Sequence, residues 1–552
     1  MTRASGPGQL MVAQRRGFGR ARRSAFTVFV ALPLLALAWL VAGPGVARAG
    51  SGYVPAQFVA KQYSEGLGRI PDAPGWRSAL GFFGRSGCTA QSLASFGEAV
   101  YTSPEFTGLG YGDAARLLAL TRGALNREPD AKGFKRLMER LHAGASWASV
   151  VDEVFTGAAF KSLVPRICSG VVDGSRSSYY LGTAAPLSIP SGGHGFAGNE
   201  RALQARLDAA AARGGGTVAL AQRALVMLDT PLTVPEGVTL TTVGAPDPRR
   251  YADMARLVRA PSMAAPASLT ALVRLKGGAK LTSVWVDGAR DVPGNKAPLE
   301  DVITYGGGVE VSSDRISNSQ GPNTLYLFGG FNGFPCASAS VTGNLITAYS
   351  SDHYLNGDWT DGIAINCEGA TVTGNEVIDA TDVGIVVYRN TVASPQHSVV
   401  RNNSVLSAGN SAYGGLVFDP LYESGRVTPK TFGFTGATIQ DNTLWTGPDT
   451  HFEIAISNGT RAWFAGRASV TADTGTGGSV IGNTTGALSA RVQTGIATAG
   501  MLHTTVTGNT LRLQHISAGR CPKLDDAAEL GSGHASGTFD PAPRDVAFDG
   551  CM

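Results

Sequence analysis

The stretch "DGIAINCEGATVTGNEVIDATDVGIVVYR", residues 361–389, contains one short pattern twice. Each copy enters an apolar run through a glycine, Gly362 or Gly384, and aspartates precede each run. Side chains alternate between the two faces of a strand, so Ile363 and Ile385 are predicted to face a common core. A strand pattern that recurs so soon along the chain is typical of a fold that winds the same unit many times.

The chain around this stretch repeats a four-residue step, an aliphatic residue followed three positions later by asparagine. Its successive offsets are 31, 28, 39, 41 and 26 residues. A fixed core interrupted by loops of variable length is the signature of a solenoid, here of about nine coils. The asparagines are predicted to form an inward ladder whose amides bond from coil to coil. The six steps are Val341–Asn344, Val372–Asn375, Val400–Asn403, Ile439–Asn442, Val480–Asn483 and Val506–Asn509.

A short amphipathic segment precedes the first strands, from Glu200 to Ala212, and ends at three glycines. A helix at this place would cap the apolar end of the first coil. With the repeated step, this resembles the pectate-lyase-like superfamily, whose members contain PbH1-type repeats. The resemblance implies a mainly β fold, a right-handed single-stranded parallel β-helix, behind a small N-terminal all-α domain. It also implies a polysaccharide as the partner.

A helical segment with an internal repeat lies before the β-rich region. "RIPD" with Gly75 recurs 58 residues later as "REPD" with Gly133, and each copy ends in a similar apolar segment. Pro–Asp is a helix-start signal, so two helical hairpin units are predicted. The motif resembles the DUF4214 family of exported bacterial proteins. Pinning of a loop by Arg69 and Asp72 is the simplest role, and attachment to cell-surface components is the alternative.

The N-terminus is basic and apolar. The first 49 residues hold seven arginines and no acid, and an apolar run extends from Ala25 to Ala42. This predicts an export signal, hence a secreted or cell-surface protein that would meet the membrane only through an uncleaved signal. Without those seven charges the formal net charge falls from +4 to −3. We therefore expect no nucleic-acid partner.

Six cysteines follow this signal, and their even number in an exported chain predicts disulfides. Cys336 and Cys367 are separated by 31 residues, as are Asn344 and Asn375, so both cysteines should occupy one position on neighbouring coils. Strands about 4.8 Å apart fit the Cα separation of a disulfide. The predicted pairs are Cys88–Cys168, Cys336–Cys367 and Cys521–Cys551.

These observations predict five segments. They are a signal peptide (1–49), a helical domain (50–168), a linker (169–195), a capped β-helix (196–515) and a C-terminal tail (516–552).

The repeat also predicts which polar residues share a face. Alignment on Gly362, Gly384 and Gly415 gives two outward columns. One contains Asn366, Tyr388, Asp419 and Ser457, and the other, just ahead of the strands, contains Thr360, Asp382 and Tyr413. Asp358 and Asp361 are then expected within roughly 5–10 Å of Asp379 and Asp382, as a carboxylate cluster.

Clustered carboxylates raise one another's pKa values, which suits a general acid beside an ionised base. The predicted catalytic residues are Asp358, Asp361, Asp382 and Asp419. The predicted substrate-binding residues are Tyr388, Arg389, Tyr413, Tyr422 and Arg426. A glycoside hydrolase would need no cofactor, whereas a polysaccharide lyase would hold calcium, with Asp379 as a ligand. Two alternatives stay open: a non-catalytic surface protein that binds carbohydrate or protein, and aspartates that only stabilise turns.

Overall fold

The computed structural model describes residues 53–170, 194–263, 271–289, 299–329, 336–347, 360–389, 395–420, 431–459, 474–498 and 500–516, together with the backbone of 537–539 and 546–548. Several predictions lie outside these residues. They are the signal peptide, the Cys521–Cys551 disulfide, and the roles of Asp358, Tyr422 and Arg426.

Residues 56–168 form a helical module. Its repeated Pro–Asp motif begins helices as predicted, because Asp72 and Asp130 each accept the N–H of the glycine three residues later at 2.7 Å. Arg69 pairs with Glu105 (Nε–Oε1 2.7 Å). The helices are α1 (Ala56–Gln62), continued by a π-helical turn (Tyr63–Leu67), α2 (Ala73–Ser86), α3 (Ala90–Tyr101), α4 (Pro104–Gly108), α5 (Asp113–Leu125), α6 (Ala131–His142), α7 (Trp147–Thr156) and α8 (Ala158–Cys168).

The chain after the module winds into a parallel β-helix, as predicted, with three long sheets. Sheet 1 contains β1 (Gly216–Leu220), β4 (Val238–Thr242), β7 (Lys280–Thr282), β10 (Val309–Ser312), β13 (Ala339–Thr342), β16 (Ala370–Thr373), β19 (Val399–Arg401), β23 (Thr438–Gln440), β27 (Ser479–Ile481) and β30 (Thr504–Thr507). Sheet 2 contains β2 (Leu225–Leu228), β5 (Ala255–Arg259), β8 (Val284–Asp287), β11 (Arg315–Ser317), β14 (Leu345–Thr347), β17 (Glu376–Ile378), β20 (Ser404–Ser407) and β24 (Thr443–Thr446). Sheet 3 contains β3 (Leu232–Val234), β6 (Ala271–Lys276), β9 (Glu300–Tyr305), β12 (Asn323–Phe328), β15 (Asp361–Ile365), β18 (Val383–Tyr388), β21 (Ala412–Asp419), β25 (Phe452–Asn458), β28 (Ala490–Thr498) and β31 (Leu513–His515).

Short strands complete the β region. A small sheet joins β22 (Thr431–Gly433), β26 (Thr474–Thr476) and β29 (Met501–Leu502). In the C-terminal tail, β32 (Gly537–Phe539) and β33 (Val546–Phe548) pair antiparallel with β30 and β28. They therefore extend the last coils of the β-helix.

The asparagine ladder is present. Each amide oxygen accepts the backbone N–H of the equivalent residue on the preceding coil, as Asn375 does for Asn344 at 3.1 Å. Each Nδ2 before that of Asn509 donates to the next asparagine, for example from Asn375 to Asn403 at 2.9 Å. The same bonds continue through Asn442, Asn483 and Asn509. All are buried, so the ladder satisfies polar backbone groups inside the coil.

A helix caps the first coil, as predicted. It is α9 (Glu200–Ala212), and Asn199 caps its N-terminus by accepting from the N–H of Ala202. Its apolar stripe, Leu203, Leu207 and Ala210, is buried in the same core as the first strands. The cap therefore shields the end of a core that would otherwise face water.

The helical module covers the outer face of sheet 2, an arrangement that the sequence did not predict. Buried side chains of the module share one apolar cluster with sheet-2 residues on successive coils, including Trp285, Leu345, Ile378, Leu406 and Trp445. The face of sheet 2 is thereby withdrawn from solvent along most of its length. The covered part of sheet 2 is therefore closed to a ligand.

Buried charges fix this contact. Arg315 of β11 donates to the Glu65 carboxylate at 2.5 Å and to the Ser64 carbonyl at 3.0 Å. Its guanidinium lies 4.0 Å from the centre of the Tyr251 ring and 4.9 Å from that of Trp285. Such charges are tolerated in an interior because they are paired and hydrogen-bonded.

Two predicted disulfides are present. Cys88–Cys168 joins α8 to the loop before α3, and Cys336–Cys367 joins neighbouring coils with a Cα separation of 4.9 Å. Among the helices that the structure describes, none has the length and apolar character needed to cross a bilayer.

Candidate functional site

A column of polar residues crosses four coils at the point where the strands of sheet 3 begin. Val383 pairs with Gly414, which sets Asp382 beside Tyr413 as predicted. The registers of the next two strand pairs continue the column to Glu453 and Gln493. All four residues are partly exposed, so they form an accessible row parallel to the β-helix axis.

A second column lies two residues earlier on the same coils. It contains Ser411, His451 and Arg491, which are also partly exposed. The residues between the two columns, Ala412, Phe452 and Val492, are buried in the core. Because side chains alternate along a strand, both columns face outward together. We call these seven residues the polar array: Asp382, Ser411, Tyr413, His451, Glu453, Arg491 and Gln493.

The array contains two carboxylates at a useful separation. Asp382 and Glu453 lie two coils apart, with Tyr413 on the coil between them. Two strand spacings set their Cα atoms about 9.6 Å apart. Flexible side chains bring this into the range of roughly 6.5–9.5 Å that an acid and a base need when a water molecule enters between them.

His451 has an unusual environment within the array. Its Nδ1 lies 2.9 Å from the Ser411 Oγ. Burial, with a further contribution from the charge of Arg491, lowers the pKa of His451 to about 4. The imidazole is therefore neutral at physiological pH, and one of its ring nitrogens is a hydrogen-bond acceptor.

Asp361 occupies the coil that precedes the array. Its Oδ1 accepts the N–H of Val383 at 3.1 Å, and the side chain is buried, 1 % exposed. Asp361 therefore links β15 to the start of β18, directly after Asp382. This contact orders the strand start and keeps the carboxylate away from solvent.

The Asp379 side chain does not join the polar array but binds backbone groups of the next coil. Its carboxylate accepts the backbone N–H groups of Ala408, Gly409 and Asn410 at 2.6–3.3 Å. Burial raises its pKa to about 6, against the opposing effect of those hydrogen bonds. Asp379 thus closes a turn of the next coil. Within the described ranges, no three His, Cys, Asp or Glu side chains group as a metal site would require, and calcium binding by Asp379 stays a prediction.

The other predicted residues lie at the far end of the sheet-3 strands. Tyr388 pairs with Asp419, as predicted, and its hydroxyl contacts that of Tyr326. Arg389 is fully buried and donates to Glu368 at 2.8 Å. Asp419 is six residues beyond Tyr413 on β21, about 20 Å away in an extended strand. Asp382 and Asp419 consequently lie too far apart to act on one bond.

One member of the predicted columns is wrong. Ser457 pairs with Val417, two residues before the position opposite Asp419. The reason is that Ala455 takes the place of the strand-entry glycine on that coil, opposite Gly415. An alignment based on glycines therefore could not assign the register of that strand.

Arg491 and Gln493 did not emerge from the sequence as site residues. A signal for them exists in retrospect, since Asp382, Tyr413, Glu453 and Gln493 each stand two residues before Gly384, Gly415, Ala455 and Gly495. That offset becomes visible only when the register of each coil is known.

Comparison with known proteins found solved structures that are only distantly similar. No protein-family model matches the chain, and no curated protein sequence matches it. Solved structures that are similar include the tailspike protein of E. coli bacteriophage HK620 in complex with a pentasaccharide, at 12% identity and a TM-score of 0.29, covering 58% of this chain and 63% of that one. Another is the A-module of the Azotobacter vinelandii mannuronan C-5 epimerase, at 14% identity and a TM-score of 0.26, covering 58% and 86%. Similarity at this level carries no argument about the fold or the function of this chain.

Proposed function

We propose that this protein binds a polysaccharide along the polar array and hydrolyses it, with Asp382 and Glu453 as the acid and base pair. The observation that carries the proposal is the separation of these two partly exposed carboxylates, two coils apart across Tyr413. A separation of this size leaves room for water and predicts inversion at the anomeric carbon.

The direction of the array suits a polymer. Its rows repeat at the strand spacing, about 4.8 Å per coil, and run parallel to the β-helix axis. Tyr413 offers a ring for apolar contact with a sugar face, while Gln493 and Arg491 offer donors to hydroxyl or carboxylate groups. The helical module covers sheet 2, whereas the array residues are partly exposed among the residues that the structure describes.

In this mechanism one carboxyl group protonates the oxygen of the leaving sugar and the other activates water on the opposite face of the ring. Either residue could take either part. Removal of one carboxylate should therefore lower kcat more than it weakens binding, because its proton transfer occurs in the transition state.

The test uses the full chain and a panel of neutral and acidic polysaccharides. Reducing ends report hydrolysis, ultraviolet absorbance reports the unsaturated product of a lyase, and NMR of the first product reports its anomeric configuration. Asp382→Asn and Glu453→Gln should each lower kcat by about 100-fold or more while binding persists. Glu310→Gln, on sheet 1, is the matched control.

Other results would replace the proposal. Unsaturated products would favour a lyase, and a chelator would then test the calcium prediction. Retention of configuration would contradict the two-coil pair. Binding without any product would leave a carbohydrate-binding protein.

Export to an oxidising compartment forms part of the proposal. Two disulfides support it, since such bonds persist outside the cytosol. Attachment through the helical module also remains a proposal. Fractionation of cells that express the full chain would test both.

A further inference from the structure

The second column of the array contains a hydrogen-bonded serine and histidine. Ser411 Oγ lies 2.9 Å from His451 Nδ1, and both side chains are partly exposed. Two backbone contacts hold the pair in register. His451 N–H donates to Ser411 Oγ at 3.1 Å, and Ala412 N–H donates to the His451 carbonyl at 2.9 Å.

A purely structural role accounts for only part of this geometry. Capping the His451 N–H requires a lone pair of the hydroxyl oxygen, which leaves the hydroxyl proton available. We assign to the neutral imidazole the tautomer that is protonated at Nε2, in which the nearby Nδ1 accepts that proton. A serine hydroxyl that donates to a neutral imidazole is the arrangement that activates a serine nucleophile.

We propose that Ser411 and His451 form a nucleophilic pair that hydrolyses small O-acyl esters, the class of ester carried by acylated sugars. Ser411 Oγ attacks the ester carbonyl while its proton passes to His451 Nδ1. The C–O bond to the alcohol then breaks, and the alcohol oxygen takes that proton from His451. Water, deprotonated by the same nitrogen, attacks the acyl-serine, and the carboxylic acid leaves as Ser411 regains its proton.

Arg491 is the next residue of this column, one coil beyond His451. Its guanidinium also contacts the Pro448 carbonyl, which fixes its side chain. A fixed cation beside the pair would stabilise the negative charge that develops on the carbonyl oxygen. This activity goes beyond polysaccharide cleavage and requires neither Asp382 nor Glu453.

The experiment uses the full chain, 4-nitrophenyl acetate as substrate and a fluorophosphonate as a covalent serine probe. We expect ester hydrolysis above the buffer rate and a single labelled peptide that contains Ser411. Ser411→Ala should abolish both, and His451→Gln should lower the rate by about 100-fold or more. The rate should rise with pH to half its maximum near pH 4 and stay level through neutrality, since His451 loses its proton at about that pH.

Ser340→Ala, which removes a partly exposed hydroxyl from sheet 1, is the matched control and should behave as the unaltered chain. Ser411→Cys keeps a nucleophile at the same place and is used if the alanine variant does not fold. Alkylation of this cysteine by iodoacetamide should then abolish ester hydrolysis. The proposal would be overturned if the unaltered chain hydrolysed the ester no faster than Ser411→Ala, or if the probe labelled another serine. Because a small ester is the substrate, this outcome is independent of any result with polysaccharides.

Discussion

The start of the asparagine ladder offers a sharp test of how the β-helix is stabilised. Asp314 occupies the ladder position of the coil before Asn344, and its Oδ1 accepts the N–H of Val284 at 2.8 Å, as an amide oxygen would. Its Oδ2 is buried and has no hydrogen-bond partner in the part of the chain that the structure describes. Where the six following coils have an asparagine amide, this coil has a carboxylate oxygen.

The neighbours of that oxygen follow from the register. Asn344 Nδ2 donates to the Val311 carbonyl at 2.9 Å and to Asn375 Oδ1 at 2.8 Å. One coil earlier, the equivalent acceptors are the Leu281 carbonyl and Asn344 Oδ1. A carboxylate can donate to neither. Burial consequently raises the pKa of Asp314 well above its ordinary value.

Asp314→Asn should restore both donor contacts. At about 1 kcal/mol for each hydrogen bond, the free energy of unfolding should rise by about 2 kcal/mol at pH 8. The sign with pH is fixed. A raised pKa means that the wild-type side chain fits best when it is protonated, so its contribution is lost as pH rises through the raised pKa. The advantage of asparagine should shrink toward pH 4, where the protonated acid can donate.

Guanidinium unfolding, followed by circular dichroism at pH 4 and pH 8, measures this difference as a shift of midpoint at constant slope. Asn375→Asp is the matched control, because it sets a carboxylate against the equivalent acceptors, the Val341 carbonyl and Asn403 Oδ1, and should destabilise by a similar amount. If Asp314→Asn were neutral at pH 8 while Asn375→Asp was destabilising, the coil of Asp314 would not need the donor, and the reasoning would fail.

Three further outcomes follow from the contacts between the module and the β-helix and from the disulfide. Glu376 of β17 accepts the N–H of Ile70 at 2.6 Å, and burial raises its pKa to about 7. Its contribution to stability is therefore lost as pH rises from about 4.5 to 7. Glu376→Gln should raise the free energy of unfolding by roughly 3 kcal/mol at pH 8 and change it little at pH 4, as measured by unfolding at both pH values. Arg315→Met leaves Glu65 buried without its main partner and should lower the free energy of unfolding by roughly 3–5 kcal/mol. The double variant with Glu65→Leu should recover most of that loss. Additive losses in this double-mutant cycle would contradict the pairing. Replacing Cys336 and Cys367 by serine opens a loop of 31 residues and should cost roughly 3–4 kcal/mol, with unchanged stability as the opposing result, and thiol titration before and after reduction confirms that the bond had formed.

The sequence by itself determined the β-helix. Each coil must bury the same apolar faces and satisfy the same buried backbone groups, so the steps from an aliphatic residue to asparagine recur along the sequence. The capping helix and the spacing of Cys336 and Cys367 were predicted from the sequence as well. The position of Asp382 beside Tyr413 could also be predicted from the sequence, because a glycine marks the entry of each of those strands.

Only the tertiary structure decided which acids lie on neighbouring coils of one column and which sheet the helical module covers. Coils of unequal length hide the register, so the partnership of Asp382 with Glu453, and the distance from both to Asp419, appear only when strands are paired. Asp379 reads as a clustered acid in the sequence, yet it closes a turn, since backbone N–H groups from another coil converge on it. The position of the helical module on sheet 2 depends on contacts such as Glu65 with Arg315, separated by 250 residues, and no local pattern encodes a meeting at that distance.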